Sequence, residues 1–328
     1  MNRLRSLLPL LSCAAAAVAA LTLTSPALAQ DWPERAPIRL VAVFPPGGSV
    51  DQVARILAQP LSKQLGQDVI VENRGGASGS IGTGSVATAA PDGYTFAVVF
   101  DTHGVNPSLN PNLPFNTVKD LTTVSLLGTG AMVLTTHADS PYKSLADVLA
   151  AAKGDKTLSY GSIGSGSLGH LAITLMSKSG APGLVHIPYR GGGPLMNDAI
   201  AGHVPLAIGS VFLSKPHIDS KRLRALAVTT SKRSENLPDV PTIAESGFAG
   251  FEAPAWWAVL APAKTPQKIV KRMNEEINKA LKLPEVAQKL AAQGISVRTG
   301  TPQQAQSFVE NQISIWAKVV KDNDIKAE

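Results

Sequence analysis

Cysteine is almost absent from this chain. Its 328 residues include a single one, Cys13, close to the N-terminus. One cysteine excludes an intrachain disulfide framework and a cysteine-rich metal site. A chain of this length can bury a core large enough to be stable without disulfides, and at about 100 to 200 residues per domain we expect two domains.

Motifs of catalysis are missing as well. The sequence has neither the G-x-S-x-G turn of serine hydrolases nor the H-E-x-x-H pattern of zinc proteases. No two histidines have the three- or four-residue spacing that would bring both to one helix face to bind a metal. We therefore predict no catalytic residues, no metal site and no cofactor. The histidines are His103, His137, His170, His186, His203 and His217.

One segment does match a nucleotide-binding motif. Residues 164–169 read Gly-Ser-Gly-Ser-Leu-Gly, which fits the dinucleotide fingerprint G-x-G-x-x-G between a predicted strand and a predicted helix. That fingerprint needs an acidic residue about 20 positions later, and residues 186–193 contain none. We interpret the segment as a ligand-binding loop rich in hydroxyl and free N–H groups.

Basic residues are in excess, but they are scattered. The formal net charge is +6, without blocks of lysine and arginine and without interleaved aromatic residues. Nucleic-acid-binding surfaces carry such clusters, so we predict no nucleic-acid partner. The charge supports at most a weak attraction for anionic solutes.

The N-terminus has the features of an export signal. Two arginines precede an apolar stretch over residues 7–23, and residues 27–29 read Ala-Leu-Ala, the small-residue pattern after which signal peptidase cuts. We predict a signal peptide over residues 1–29, cleavage after Ala29 and a periplasmic location. Lipid attachment at Cys13 is not expected, because residues 6–12 alone would be too short an apolar core.

The predicted signal peptide is followed by a strand, a glycine-containing turn and the start of a helix. Residues 38–44 form a predicted buried strand, residues 45–48 read Pro-Pro-Gly-Gly, and Ser49 with Gln52 fits a capping box. Glycines let a ligand approach the main chain, and the free N–H groups of a helix N-terminus favour a carboxylate or phosphate. The segment therefore predicts an anion site.

Short runs of Val, Ile, Leu and Ala alternate with amphipathic segments along the rest of the chain. This pattern indicates an α/β architecture with mainly parallel strands. We expect one lobe over residues 30–125 plus 229–328 and a second lobe over residues 126–228. Two crossings between the lobes imply a hinged cleft.

Two threonines mark helix starts in the C-terminal third. Thr265 and Thr301 are each followed by proline, which is typical of an N-cap with proline at the first helical position. We expect helices over residues 266–281 and 302–320.

A series of short sequence motifs extends through nearly the whole chain after the predicted signal peptide. They include Phe44-Pro45-Pro46-Gly47-Gly48, Val71-Glu72-Asn73-Arg74, Ala90-Pro91-Asp92-Gly93-Tyr94, His186-Ile187-Pro188-Tyr189-Arg190-Gly191-Gly192 and Leu237-Pro238-Asp239-Val240-Pro241-Thr242. Together they resemble the tripartite tricarboxylate transporter substrate-binding proteins, also called Bug proteins. The resemblance implies an α/β fold of the two-lobed periplasmic-binding-protein class (Venus flytrap, type II), with a hinged cleft. It also implies a receptor that captures a small organic carboxylate and delivers it to a two-component membrane permease, and we expect a monomer.

The resemblance further implies which residues contact the ligand. The family's first-lobe turn, which holds a carboxylate through main-chain groups and bridging waters, corresponds to residues 46–49, and the loop after the third strand to residues 101–103. Second-lobe contacts fall on the serine- and glycine-rich loop and on the Tyr-Arg pair that follows it. The expected ligand-binding residues are Pro46, Gly47, Gly48, Ser49, Asp101, Thr102, His103, Ser162, Gly164, Ser165, Gly166, Ser167, Tyr189 and Arg190.

Three departures from the family pattern bear on the ligand. Many relatives carry Asn where this chain has Ser165, Ser where it has Ile163, and Asp, which suits a ligand ammonium group, where it has Gly209. We therefore expect an acid without an amino group.

Two other functions stay open at this level. A ligand-sensing receptor for a membrane sensor kinase would use the same cleft with a different output. An exported hydrolase or lyase on a similar frame would need a nucleophile, a paired acid and base, or a metal in the cleft. The sequence identifies none of these groups.

Overall fold

The computed structural model describes residues 32–110, 112–153, 158–180 and 183–326. The predicted signal peptide and Cys13 lie outside these ranges. Within them the chain forms an α/β fold around two mixed β-sheets, of six and five strands. No helix in the described part of the chain is long and apolar enough to cross a membrane.

Eleven strands are formed by the described residues. In chain order they are β1 (Ile38–Ala42), β2 (Val69–Asn73), β3 (Thr95–Phe100), β4 (Leu121–Gly130), β5 (Met132–His137), β6 (Leu158–Ser162), β7 (Leu184–Pro188), β8 (Leu206–Ser210), β9 (Leu223–Val228), β10 (Ala255–Pro262) and β11 (Ile295–Val297). The first sheet has the order β11-β4-β10-β3-β1-β2 and the second has the order β7-β6-β8-β5-β9.

Strand direction is mixed in both sheets. In the first sheet β1 pairs in parallel with β2 and β3, whereas β10 runs antiparallel to both β3 and β4. In the second sheet β6 pairs in parallel with β7 and β8, whereas β5 runs antiparallel to β8 and β9. The expectation of mainly parallel strands therefore holds only for β1, β2 and β3 in the first sheet and for β6, β7 and β8 in the second.

Ten α-helices connect or cover these strands in the described part of the chain. They are α1 (Ser49–Leu65), α2 (Ser80–Ala87), α3 (Thr102–Leu109), α4 (Leu145–Ala152), α5 (Leu168–Lys178), α6 (Gly192–Ile200), α7 (Val211–Asp219), α8 (Gln267–Lys282), α9 (Pro284–Ala292) and α10 (Pro302–Asp322). We call each sheet, with the helices packed on it, the first unit and the second unit.

Two helix N-caps were expected in the C-terminal third of the chain, and the structure contains one of them. Thr301 caps α10, since its hydroxyl accepts the Gln304 N–H at 3.2 Å and the Gln304 side chain accepts the Thr301 N–H at 2.9 Å. That prediction is confirmed. Thr265 does not cap α8, because the N-cap of α8 is Pro266 and no side chain accepts from its first turn.

The chain passes between the units twice. It leaves the first sheet at Ala131, between β4 and β5, and it returns after β9 toward β10. A boundary at residue 126 is therefore too early, because β4 pairs with β10 and β11 as far as Gly130.

Thr229 ties the crossing segments together. Its side chain is fully buried, and its hydroxyl donates to the Ala253 carbonyl at 2.7 Å while accepting the Met132 N–H at 3.1 Å. Its own main chain bonds the same two residues, through the Met132 carbonyl at 3.0 Å and the Ala253 N–H at 2.8 Å. One threonine therefore fixes the start of β5, the end of β9 and the approach to β10.

A row of aromatic side chains connects the segments that cross between the units with the space between the two sheets. The Trp257 ring lies 4.9 Å from Phe100 on the first unit and 6.2 Å from Phe212 on the second, centroid to centroid. Phe100 in turn meets Phe44 edge-on at 6.5 Å. These contacts pack the two units against one shared core, so each unit is positioned relative to the other.

We expect Thr229→Val to lower the free energy of unfolding by about 1–3 kcal/mol, because it leaves a buried N–H and a buried carbonyl without their partner. Chemical denaturation measures the change. The control is Thr230→Val, whose hydroxyl bonds only the nearby Lys232 carbonyl at the surface. Equal stability of the two variants would contradict the role given to Thr229.

Candidate functional site

A cavity of about 1050 Å³ lies between the two units. Its walls come from the segments that follow β1, β2 and β3 on the first unit and β6 and β7 on the second. In α/β proteins, ligands bind outside the carboxyl ends of the strands, which is where these segments lie. The described lining residues are Phe44, Pro45, Pro46, Asn73, Gly75, Gly76, Ala77, Ser78, Ile81, Asn106, Leu109, Asn110, Asn112, Ile163, Gly164, Ser165, Gly166, Pro188, Tyr189 and Arg190.

The units touch beside this cavity through two proline residues of the first unit and glycine main chain of both units. A Cβ atom on Gly193 would lie 2.9 Å from the Pro46 carbonyl oxygen, and one on Gly191 would lie 2.8 Å from the Pro45 ring. Both distances are too short for a side chain. We call this contact the glycine seam, formed by residues 45–48 of the first unit and 191–193 of the second.

A second contact closes another side of the cavity. The Ser78 hydroxyl donates to the Ser165 carbonyl of the opposite unit at 2.6 Å. Close by, the Leu109 side chain would lie 3.2 Å from a Cβ on Gly166. The structure is therefore in a closed arrangement, with contacts between the units at both places.

Six of the expected ligand-binding residues line this cavity. They are Pro46, Gly164, Ser165, Gly166, Tyr189 and Arg190. Arg190 is the single fully charged side chain among the described lining residues, and none of those residues is acidic. Its side chain is exposed and has no carboxylate partner in the described part of the chain.

Tyr189 is held by its own unit. Its hydroxyl donates to Asp198 at 2.8 Å. Burial, and then the Asp198 carboxylate, raise the pKa of Tyr189 to about 12. The phenol is therefore neutral at physiological pH, and the bond to Asp198 fixes the direction of its ring.

Residues 47–49 do not line the large cavity. Gly48 is the N-cap of α1, so Ser49 is already helical and the expected capping box is wrong. The Gly47 N–H, expected to be free for an anion, donates to the Asp51 carboxylate at 3.0 Å. Gly47 also lines a separate cavity of about 530 Å³ on the other side of the turn.

Residues 101–103 lie behind the cavity wall. Asp101, Thr102 and His103 are buried, because α3 starts directly after β3 and turns them into the interior. Asn106 and Leu109, further along α3, reach the cavity instead.

Burial gives two of these residues unusual acidity. Neither carboxyl oxygen of Asp101 has a well-formed hydrogen bond in the described residues. Desolvation raises the pKa of Asp101 well above its usual value, and the Thr102 N–H lowers it only in part. Desolvation lowers the pKa of His103 to about 4. The imidazole is therefore neutral at physiological pH.

Ser162 and Ser167 support the serine-rich loop from behind and are fully buried. The Ser162 hydroxyl accepts the Gly164 N–H at 3.2 Å and the Ser167 hydroxyl at 3.1 Å, and it lies 2.7 Å from His186 Nε2. Ser167 is the N-cap of α5. These bonds fix the shape of the loop, whose residues 163–166 line the cavity. The Gly166 N–H donates to His170 Nδ1 at 3.1 Å, so the expectation of free N–H groups in this loop is wrong for both Gly164 and Gly166.

Sequence reasoning missed Ser78, Ile81, Asn106 and Leu109 as lining residues. The glycine-rich segment before α2 was the available signal, because glycine is needed where φ is positive. Four successive residues there, from Gly76 to Gly79, have φ values of 129°, 46°, 51° and 87°. Ala77 and Ser78 carry side chains in this left-handed conformation, which costs about 1–2 kcal/mol per residue. Strain of this kind concentrates at binding sites.

Because the Asp101 carboxyl is buried, we expect the stability of the fold to depend on pH. The folded state holds the Asp101 proton more tightly than the unfolded state, whose carboxyl has a pKa of about 3.9. Stability therefore falls as pH rises from that value through the raised folded-state pKa, and the full loss remains at higher pH. We expect Asp101→Asn to be stabilised relative to the native protein at pH 8 but much less so at pH 4, by chemical denaturation. Exposed Asp68→Asn is the control, and a pH-independent difference for Asp101→Asn would contradict the prediction.

Comparison with known proteins places the chain in a family. The family model described as "Tripartite tricarboxylate transporter family receptor" matches residues 53–325. The chain is 38% identical over 314 residues to protein BugT of Bordetella pertussis, an alignment that covers 94% of this chain and 95% of BugT.

Solved structures agree. The periplasmic binding protein BugD is 31% identical, with a TM-score of 0.85 over 90% of this chain and 99% of BugD. Rpa4515 of R. palustris with adipate is 34% identical, with a TM-score of 0.86 over 90% of this chain and 99% of its own. MatC of Rhodopseudomonas palustris with bound malate is 30% identical, with a TM-score of 0.83 over 88% of this chain and 99% of its own. The chain therefore belongs to the tripartite tricarboxylate transporter family of receptors, which are periplasmic solute-binding proteins.

Proposed function

We propose that this protein captures a small organic carboxylate between its two units and delivers it to a two-component membrane permease of the tripartite tricarboxylate type. One observation carries the choice of ligand: the cavity between the units contains one cation, Arg190, and no acidic residue among the described residues that line it. A guanidinium forms strong, paired hydrogen bonds with a carboxylate. The adipate and malate seen in Rpa4515 and MatC support the same ligand class.

The serine-rich loop supplies the remaining polar contacts in this proposal. Ser165 lines the cavity with its hydroxyl, whereas the N–H groups of Gly164 and Gly166 are already bonded to Ser162 and His170. A ligand amino group would find no acidic partner on the described wall. Gly209, where an acidic residue would suit an ammonium group, does not line the cavity. The lining residues, rather than Gly209, therefore support an acid without an amino group.

Export belongs to the same proposal. The leader over residues 1–29, with cleavage after Ala29, would release the receptor into the periplasm as a monomer. BugD is a periplasmic binding protein, which supports this location. Family membership supports the permease as the partner that receives the ligand.

Closure would work through differential contact. We propose that the two units act as lobes that hinge at the crossing segments around Thr229. The glycine seam and the Ser78–Ser165 bond exist only when the units meet. A ligand that contacts both walls shifts the population toward this closed form, and only as far as its extra contacts there allow.

The adjacent Ser162–His186 pair does not support catalysis. A distance of 2.7 Å suits a nucleophile and its base. However, Ser162 is fully buried and does not line the cavity, and its hydroxyl donates to the Gly164 carbonyl at 3.0 Å. The pair instead holds the loop, which supports binding without chemistry on the ligand.

Arg190 provides the first test. We expect Arg190→Gln to weaken carboxylate binding about tenfold to a hundredfold, because a charge-assisted bond contributes about 1.5–3 kcal/mol. Thermal shift of the purified protein, refolded to remove carried-over solute, would be measured against mono-, di- and tricarboxylates, aromatic acids and amino acids. Stabilisation should rise with the logarithm of ligand concentration. Arg298→Gln, an exposed arginine away from the cavity, is the control, and no response to any carboxylate would contradict the proposal.

Ser78 tests closure. We expect Ser78→Ala to weaken the best carboxylate of that screen about threefold to tenfold, since it removes one neutral hydrogen bond of the closed form. Ser85→Ala is the matched control, because the Ser85 hydroxyl bonds the Gly82 carbonyl within the same helix. Titration calorimetry measures both affinities. Equal loss in the two variants would show that the contact across the cleft adds nothing.

A further inference from the structure

One peptide unit of the serine-rich loop makes a contact on each side of the cavity wall. Toward the opposite unit, the Ser165 carbonyl accepts the Ser78 hydroxyl at 2.6 Å. Toward the interior, the N–H of the same peptide unit, that of Gly166, donates to His170 Nδ1 at 3.1 Å. The carbonyl and the N–H of a trans peptide lie in one plane and point in opposite directions. The bond to His170 therefore orients the carbonyl that Ser78 contacts across the cleft.

Glycine makes this orientation easy to lose. Turning a peptide unit over changes ψ of the residue before it and φ of the residue after it, which here are Ser165 and Gly166. Gly166 has a φ of 73°, and glycine adopts positive and negative φ about equally well. The backbone alone therefore does not hold the carbonyl toward Ser78, and the bond on the N–H side supplies the missing constraint.

Only an unprotonated Nδ1 of His170 can accept this bond. A ring nitrogen that carries a proton is a donor, so a proton on Nδ1 would place two N–H groups against each other. The side chain is 4% exposed and belongs to the first turn of α5, where the helix dipole disfavours a positive charge. The closed arrangement therefore requires the neutral imidazole.

The titratable groups that face His170 come from three elements. The ring of His186, on β7, is stacked on it with 4.1 Å between the centroids, and the Tyr160 ring, on β6, lies 5.1 Å from that of His186. Lys178, on α5, lines a small cavity of about 270 Å³ together with these three residues. A positive charge on His186 or Lys178 repels one on His170, so both favour the neutral ring in the closed form.

We propose that His170 is a positioning residue for ligand capture: the neutral ring orients the Gly166 peptide unit for the Ser78 contact, and protonation of Nδ1 releases that contact. This inference rests on the proposed function and adds a regulation of the same site by pH. The closed form keeps Nδ1 free of a proton, whereas a form without the contact across the cleft lets the ring accept one. Proton uptake therefore favours the open form, and carboxylate binding weakens as pH falls through the usual histidine range, about pH 6.5.

Binding measured at two pH values tests the proposal. Adipate and malate are the probes, and titration calorimetry on the purified protein gives their affinities at pH 8 and pH 5.5. We expect the native affinity to fall about threefold to tenfold more than that of His170→Asn, which is the contribution of one neutral hydrogen bond. The asparagine carbonyl oxygen can take the place of Nδ1 and accept the Gly166 N–H without titrating, so this variant measures the effect of probe protonation alone.

Two further variants make the test specific. Ser78→Ala should lose most of the pH dependence, because the contact that the proton releases is already absent. His137→Asn is the matched control and should keep the native pH dependence, since His137 Nδ1 also accepts a main-chain N–H, that of Asp139 at 3.2 Å, but does not line the cavity. The same pH dependence in the native protein and in His170→Asn would overturn the inference while the receptor proposal stands.

A measurement without any ligand decides the inference if neither acid binds, an outcome that would count against the proposed ligand class instead. Nuclear magnetic resonance of protein with isotope-labelled glycine follows the Gly166 amide directly. We expect its resonance to move between pH 8 and pH 5.5 in the native protein and in Ser78→Ala, because both keep the imidazole. A Gly166 resonance that does not move in the native protein would overturn the role given to His170, even if His170→Asn does not fold.

Discussion

Contact between two stretches of main chain across the cleft is the constraint on which the binding arrangement depends. In the glycine seam, Pro46 and Gly193 approach so closely that a side chain on residue 193 would meet the Pro46 carbonyl at 2.9 Å. Main chain cannot yield as a flexible side chain does, so this contact limits how closely the two units approach each other. The Ser78–Ser165 bond adds a second contact of the same closed form.

The segments that cross between the units fix the relative position of the two sheets. Thr229 bonds both Met132 and Ala253 through its hydroxyl and through its main chain. The row from Phe44 through Phe100 and Trp257 to Phe212 continues the packing toward the cavity. Contiguous packed residues therefore connect the crossing segments with Phe44 on the cavity wall.

The sequence predicted the parts of the site that depend on local chemistry. The loop over residues 164–169 was interpreted as a binding loop from its own glycines and serines between a predicted strand and a predicted helix, and residues 164–166 line the cavity. Tyr189 and Arg190, which also line it, were expected from the resemblance to the family. The α/β class was predictable for the same reason, because hydrophobic periodicity is a local signal.

Features that depend on distant or competing partners were not predictable. Asp51 occupies the Gly47 N–H that was expected to be free, and this competition between two residues of one turn is not visible in a capping pattern. The early start of α3 buries Asp101 and His103, because tertiary packing decides where that helix begins. The left-handed conformation of Ala77 and Ser78 is stable only because surrounding contacts outweigh its cost.

In the proposed function, the loops shape the cleft and Arg190 supplies the positive charge. Closure would depend on the glycine seam, where a Cβ on Gly193 would lie 2.9 Å from the Pro46 carbonyl oxygen, whereas one on Gly48 would make ordinary contacts at 3.5 Å or more.

A crystal structure of the protein with the carboxylate that gives the largest thermal shift would show whether an organic acid binds between the two units. We expect the two units to be in contact, with the carboxylate at Arg190 beside Ser165. A carboxylate bound in the smaller cavity beside Gly47, with the large cavity holding only solvent, would contradict this site.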